Sequence, residues 1–194
     1  MTTEEYLALP TDDERSELIY GEVVVSPGAT WEHNDVIYYI RHLVGRWVQH
    51  FKLGKICFDV DMVLDVAKAL IYRPDLLFLI TEHLARRKRG RVFGAADLCV
   101  EVLSPSDRPW LQNRKFADYE SYGVSWYWII RPDPQSPGIE EHELVGGKYV
   151  CRAEVSGDEW FKPGLFPGLI FRLAALIGGE DLKAAVKGKA KRLV

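Results

Sequence analysis

Two carboxylates lie in apolar segments that are expected to be buried. Asp75 begins the apolar run 76–80, and Glu101 lies inside the apolar run 98–103. Short apolar runs bounded by turn residues are typical of strands that are buried on both faces. A carboxylate is costly to bury in such a strand unless a cation or hydrogen bonds compensate its charge. If the two strands are neighbours, both carboxylates can bind one hard divalent cation, Mg2+ or Mn2+, which prefers oxygen ligands.

A lysine is the third member of this set. We predict a helix at about residues 108–123, because Gly123 is a stop signal at the end of a stretch with helical character. Lys115 shares a face of that helix with Leu111 and Tyr119, so the lysine is expected to point inward, towards the carboxylates. The alternative is that its stem follows the apolar surface and its ammonium group reaches water.

The carboxylates also have an alternative role. Asp75 could pair with Arg73, and Glu101 with Lys115, in salt bridges that need no metal. Residue types alone leave both interpretations open.

The order of predicted elements indicates the fold class. We expect a core-facing helix at 33–49, a half-buried strand at 55–65 whose acids Asp59, Asp61 and Asp65 face solvent, strands at about 71–80 and 97–103, the helix at 108–123 and a strand at about 125–131. Two further runs joined by Gly146-Gly147 predict a hairpin near the C-terminus. This is an α/β (α+β) domain with a mixed central sheet flanked by helices and an added C-terminal β-hairpin.

Composition restricts the class of protein. The chain has 194 residues, is 47% hydrophobic and 27% charged, and carries a net charge of −3, which favours a globular protein and disfavours one that coats nucleic acid nonspecifically. Residues 1–178 are expected to form one domain and residues 179–194 a basic, disordered tail. We expect the three cysteines to be reduced core residues. With no signal peptide and no membrane span recognisable, the expected location is cytoplasmic.

One local cluster of cations contrasts with the net negative charge of the chain. Five cations lie within six residues between the two carboxylate strands: Arg86, Arg87, Lys88, Arg89 and Arg91. Such a loop could bind backbone phosphate without reading sequence. The alternative is a solvated connection. Trp110, beside Arg108, could stack on a base or pack against the protein.

These motifs resemble the PD-(D/E)xK superfamily of restriction-endonuclease-like nucleases, and more narrowly its Uma-type bacterial branch. The resemblance covers roughly residues 15–175. It depends on Pro74-Asp75, on Glu101 followed by Val-Leu-Ser-Pro-Ser, and on Lys115, Tyr119 and Gly123-Val-Ser-Trp-Tyr-Trp. The wider superfamily has its lysine two residues after the Glu, where this chain has Leu103. In the Uma-type branch the matching lysine is Lys115.

The resemblance implies a fold and an activity. The fold would be restriction-endonuclease-like, and the activity would be Mg2+-dependent hydrolysis of phosphodiester bonds in DNA. Asp75, Glu101 and Lys115 would be catalytic, and the metal would bind Asp75, Glu101, the Val102 carbonyl and Glu17. His33 also matches the branch, but a histidine near a helix start is more often a capping or surface residue, and Glu17 could be an ordinary edge-strand charge.

Two further expectations concern partners and activity. Cleavage of a duplex needs two active sites, so we expect a homodimer. The alternative function is a catalytically silent module on the same fold that binds nucleic acid or protein.

Overall fold

The computed structural model describes residues 1–10, 15–26, 28–104, 108–178 and 181–194. This part of the chain forms four α-helices: α1 (Thr3–Leu7), α2 (Trp31–Phe51), α3 (Pro109–Tyr122) and α4 (Leu173–Ile177). Its strands are β1 (Ser16–Ile19), β2 (Glu22–Val25), β3 (Gly54–Phe58), β4 (Met62–Asp65), β5 (Leu70–Tyr72), β6 (Leu76–Ile80), β7 (Arg87–Lys88), β8 (Arg91–Phe93), β9 (Leu98–Val102), β10 (Trp126–Arg131), β11 (Gly138–Val145) and β12 (Lys148–Ser156). Short 3₁₀ helices cover Thr81–Arg86 and Gly188–Arg192.

The first sheet carries both predicted carboxylates. Its strand order is β12-β11-β10-β9-β6-β3, in which β9 and β10 are parallel and the other pairs are antiparallel. In the antiparallel pair β6–β9, Leu76 lies opposite Val100. Asp75 immediately precedes Leu76 and Glu101 follows Val100, so the two carboxylates lie at the same end of neighbouring strands. Opposed residues of such a pair direct their side chains to the same face.

The second sheet has the order β2-β1-β5-β4-β8-β7 and explains where the predicted strands were wrong. The predicted strand 55–65 is divided into β3 and β4, which belong to different sheets. The break includes Asp59, whose φ of 48° an extended strand cannot accommodate. The predicted strand 71–80 is likewise divided into β5 and β6 at Arg73-Pro74-Asp75, where proline removes a backbone donor.

Asp61 is not solvated, contrary to the expectation from strand alternation. Its carboxylate is buried and pairs with the guanidinium groups of Arg73, at 2.9 Å, and Arg91, at 3.2 Å. A buried carboxylate needs such partners. Here Arg73 lies directly after β5, and Arg91 lies in β8. Asp59 does remain exposed.

The helices follow the predicted pattern. Helix α2 buries one stripe of apolar residues, including Val36, Ile40 and Val44, in the larger core cluster. Helix α3 ends at Gly123, which takes a left-handed conformation with φ 86° that L-amino acids with side chains disfavour. The boundaries predicted for α3 therefore agree with the structure to within one residue at either end.

The C-terminal hairpin is formed by β11 and β12. Gly146 and Gly147 both have positive φ at its turn, which fits the twist of a two-residue hairpin connection. The composition of residues 179–194 suggested a disordered tail, but Ala185, Val186 and Ala190 are buried in the larger core cluster. Small apolar side chains between the lysines make this packing possible.

The cysteines are all free, and their surroundings differ. Cys99 is buried in β9 and Cys57 is partly buried, as expected of core residues. Cys151 is exposed on β12, so its assignment to the core was wrong. Strand β12 is at the edge of its sheet, and most of its residues face solvent.

Within the described residues, no helix combines the length and the apolar character that crossing a membrane requires.

Gly54 fixes how β3 pairs with β6. It has φ 151° and lies opposite Ile80, and a Cβ atom there would overlap the Leu79 carbonyl oxygen and lie 2.9 Å from the Ile80 Cα. Gly54→Ala is therefore expected to lower the free energy of unfolding by more than the roughly 1–2 kcal/mol that a left-handed backbone alone costs. Urea unfolding of the variant measures this.

The matched control is Gly157→Ala. Gly157 also has a positive φ, of 56°, but no atom lies within 4 Å of the added Cβ. Equal losses in the two variants would show that backbone strain, and not the close approach of β6, determines the cost at Gly54.

Candidate active site

Four of the predicted site residues, Asp75, Glu101, Val102 and Lys115, lie in the wall of one cavity of about 440 Å3. It lies at the start of β6 and the end of β9, where the first turns of α2 and α3 meet the segments that flank β1 and β2. The charged, histidine and backbone groups in its wall are Arg15, His33, Asp75, Glu101, Val102, Arg108 and Lys115. The two predicted carboxylates and the predicted lysine are thus brought together.

Asp75 is buried and held by three groups. The Arg15 guanidinium pairs with its Oδ1, the Val102 N–H donates to its Oδ2 at 2.7 Å, and the His33 Nε2 lies 3.5 Å from Oδ1. Burial alone would raise the pKa of Asp75, but the hydrogen bond from His33 and the charge of Arg15 outweigh burial and hold the pKa well below its usual range. The carboxylate is therefore ionised.

Glu101 and Lys115 form the second half of the site. The Lys115 ammonium donates to Glu101 Oε2 at 3.0 Å, and the Tyr119 hydroxyl donates to Oε1 at 2.8 Å. Burial raises the pKa of Glu101 to about 7, because the opposing effect of Lys115 is offset by the negative charges of Asp75 and Glu17. Burial would lower the pKa of Lys115, but Glu101 and Glu17 together raise it, so the lysine is charged.

Glu17 supports the lysine from behind the cavity. Its carboxylate lies 2.9 Å from the Lys115 Nζ and accepts a hydrogen bond of 2.8 Å from the Arg73 N–H. The side chain is 1% exposed and is absent from the cavity wall, and its Oε2 has no hydrogen-bond partner among the described residues. In this geometry Glu17 positions Lys115 and does not face the space where a metal ligand would be needed.

His33 and Arg15 belong to the site more closely than the sequence indicated. The backbone N–H of His33 donates to the Thr30 Oγ1 at 3.3 Å, as expected in the first turn of a capped helix. The imidazole of His33, however, is buried against Asp75. Burial would lower the pKa of His33, and the hydrogen bond to Asp75 raises it. Arg15 was not predicted at all. One signal was present: Arg15 and Glu17 are two residues apart, so in an extended segment they share a face.

The charges of this cluster do not balance. Asp75, Glu101 and Glu17 carry three formal negative charges, and while His33 is neutral only Arg15 and Lys115 carry positive charges against them. Burial is the main cause of the raised pKa of Glu101, and the negative charges of Asp75 and Glu17 add to it.

The donor set fits a hard divalent cation in part. The oxygens of Asp75, Glu101 and Val102 share one cavity wall, and the cluster has negative charge to neutralise. However, no three His, Cys, Asp or Glu side chains in the described part of the chain converge on a common point where they could hold a metal. A cation would thus bind two carboxylates and complete its shell with backbone carbonyl and water oxygens.

The basic loop lies away from this cavity. None of its five cations is in the cavity wall, and β7 and β8 lie at the opposite edge of their sheet from β2. Arg86 donates to the Ala95 carbonyl, and Arg91 donates to Asp61 and to the Leu7 carbonyl. The remaining three, Arg87, Lys88 and Arg89, are exposed.

Pro105 and Ser106, which follow Ser104 in the quoted motif, fall outside the described residues. Trp110 is 50% exposed at the beginning of α3, immediately before the cavity residue Leu111.

Comparison with known proteins identifies the fold and the family. No curated protein matches the chain significantly. Among solved structures, a protein from Anabaena variabilis described as a "putative nuclease belonging to DUF820" superposes with a TM-score of 0.73 over 92% of this chain and 98% of its own, at 18% identity. The fold is therefore the restriction-endonuclease-like α/β fold that the sequence predicted. The model of the Uma2 family, described as "Putative restriction endonuclease", matches residues 3–174, so the chain belongs to the Uma2 family.

Proposed function

We propose that this protein is a Mg2+-dependent endonuclease that hydrolyses phosphodiester bonds in DNA. One observation carries the proposal: Asp75 and Glu101, from neighbouring strands, meet Lys115 in the wall of a single cavity. Membership of the Uma2 family supports the same conclusion.

The carboxylates would hold the metal. Asp75, Glu101 and the Val102 carbonyl would bind Mg2+ or Mn2+, which supplies polarisation of the phosphate and a bound water of lowered pKa. Glu17 was a fourth candidate ligand, and its contact with Lys115 favours a positioning role instead.

Lys115 would act through its charge. Because its pKa is raised, the ammonium is a poor base for the attacking water. A cation fixed by Glu17 and Glu101 is instead suited to stabilise the negative charge that develops on the phosphate oxygens in the transition state. Arg15 and Arg108, in the same wall, would add to the positive potential along the DNA backbone.

A dimer forms part of the proposal where the substrate is a duplex. One chain of this size offers one such cavity, and a two-fold dimer would supply a second for the other strand.

One observation favours the second candidate function, a catalytically silent module. Both oxygens of Asp75 and both oxygens of Glu101 already accept hydrogen bonds from protein groups. An ion-pair network of this kind is stable without metal. The experiments below separate the two functions, because a silent module would neither bind Mg2+ at these residues nor cleave DNA.

Lys115→Met tests the lysine. We expect DNA cleavage in Mg2+ to fall by orders of magnitude, because the variant lacks the fixed charge. We also expect the metal-free protein to lose about 3–5 kcal/mol of unfolding free energy, since Glu17 and Glu101 would remain buried without their cation. A plasmid-cleavage assay and urea unfolding measure the two effects.

Two further variants complete that test. Lys148→Met removes a lysine that is 80% exposed and pairs with Glu120, so it should change neither quantity much. Lys115→Arg keeps the charge but moves it, so it should retain more stability than activity. Full activity in a folded Lys115→Met protein would remove Lys115 from the catalytic machinery.

The pKa of Glu101 predicts a pH dependence. Its usual value is 4.5 and its value in the fold is about 7, so between these values the folded protein keeps a proton that the unfolded chain has released. Stability contributed by Glu101 is therefore lost as the pH rises through this window. As the pH is raised from about 5 to about 8, the stability of metal-free Glu101→Gln should therefore increase relative to that of wild type, as measured in thermal melts.

Mg2+ should have the opposite dependence on pH. It requires the ionised carboxylate, so the rise in melting temperature on adding Mg2+ to wild type should be larger at about pH 8 than at about pH 5. Glu101→Gln should show a smaller rise, and Glu22→Gln, at an exposed position on β2, should behave like wild type. A Mg2+ effect that survives unchanged in Glu101→Gln would place the cation elsewhere.

The exposed cations of the basic loop are proposed to bind flanking DNA backbone. Replacing Arg87, Lys88 and Arg89 by serine should lower the slope of log affinity against log salt by up to roughly 2–3, because each neutralised phosphate contributes about 0.9. Stability should hardly change. Fluorescence-anisotropy titrations at several salt concentrations measure the slope.

The control removes three exposed lysines from the C-terminal segment instead, Lys183, Lys189 and Lys191. An equal reduction of the slope in both triple variants would mean that general charge, and not contact at the loop, accounts for the effect.

A further inference from the structure

A second cavity adjoins the active-site cavity. It has a volume of about 480 Å3, and Leu103 and Ser104 belong to the walls of both cavities. The two spaces therefore meet at the end of β9, directly after Glu101 and Val102.

The two cavities differ in charge. The active-site cavity contains the cations Arg15, Arg108 and Lys115 beside its two carboxylates, Asp75 and Glu101, where the proposed metal would add positive charge. The second cavity has apolar walls from Leu103, Pro132 and Pro134, and two acids, Glu32 and Asp133. Its one cation, Arg131, is paired with Glu140. Phosphate would be repelled from this second space, whereas a flat apolar group such as a nucleobase is compatible with it.

Trp31 is flanked in the chain by residues of both cavity walls. Before it in the chain, Ala29 lines the active-site cavity and Thr30 lines the second cavity. After it, Glu32 lines the second cavity and His33 lines the active-site cavity. The Trp31 indole is 84% exposed, which is the greatest exposure of any large apolar side chain in the described chain. A large aromatic side chain that is exposed to water close in the chain to a binding site is suited to stack on a planar ligand.

We infer that the site takes single-stranded DNA, with the phosphate to be cleaved in the cation-lined cavity, a neighbouring base in the apolar cavity and Trp31 stacked on a base. The inference rests on the proposed function. An alternation of phosphate and base along a strand matches the alternation of the two cavities. In a duplex the bases beside the phosphate are paired and stacked, so entering the second cavity would first require their unstacking.

The stacking by Trp31 can be measured without catalysis. The probes are fluorescein-labelled oligothymidylate and the same strand annealed to oligoadenylate, titrated in EDTA so that no cleavage occurs. The single strand should bind more tightly than the duplex. Trp31→Ala should weaken single-strand binding on the order of tenfold, in the range of one lost base–aromatic stack. Trp31→Phe should retain most of the affinity.

The matched control is Tyr38→Ala. Tyr38 is 64% exposed on the same helix, but unlike Trp31 it has no chain neighbours in the wall of either cavity, so its loss should leave both affinities unchanged. Both side chains are exposed, and thermal melts are expected to show that neither substitution affects folding.

Each contrary result has a distinct meaning. Duplex binding at least as tight as single-strand binding, or equal effects of Trp31→Ala and Tyr38→Ala, would overturn the inference. If Lys115-dependent cleavage of the duplex then persists, the proposed function stands and only the single-strand preference fails. If neither probe binds in EDTA, the inference fails, and Lys115-dependent cleavage in Mg2+ decides the proposed function separately.

Discussion

The structure depends on one buried cation that is shared by two carboxylates. Lys115 on α3 contacts Glu17 on β1 and Glu101 on β9, and these strands belong to different sheets. Arg15 makes a second connection of the same kind, because it precedes β1 and pairs with Asp75 at the start of β6. The two sheets and the helix thus meet at a cluster of charges. Breaking one pair would leave a buried charge without compensation, which costs more than an exposed ion pair contributes.

A cluster of this kind is a poor choice for stability alone. Apolar side chains of similar volume would often stabilise the contact between the two sheets and α3 as well or better. Burial raises the pKa of Glu101, and the excess of one carboxylate over Arg15 and Lys115 adds to this effect. Such a cost at the mouth of a cavity is typical of functional sites, which tolerate local destabilisation in return for activity. The imbalance is therefore a better indicator of function than the ion pairs themselves.

Local signals in the sequence were sufficient for some elements and not for others. Helix α3 and the orientation of Lys115 were predictable, since periodicity and Gly123 act over a few residues. Apolar runs also predicted β6, β9 and β10. They could not show that the chain changes sheets at Asp59, because the alternation of apolar residues continues across it, or before Asp75, because the apolar runs on both sides of Arg73-Pro74-Asp75 are also compatible with a single strand. Arg15 and His33 reach Asp75 only through the tertiary fold. The basic run 86–91 likewise gave no indication that Arg91 forms an ion pair with Asp61.

The arrangement of charge also explains how an acidic chain could bind a polyanion. With a net charge of −3, the protein as a whole does not attract nucleic acid, so any affinity must come from local potential. In the cavity, Arg15 and Lys115 are largely neutralised by the carboxylates that hold them, which leaves Arg108 as the cation with the greatest freedom to meet phosphate in this wall. If the proposed function holds, a divalent cation at Asp75 and Glu101 would reverse this balance. Affinity for the cation and affinity for DNA would then increase together, because linkage between two sites is reciprocal.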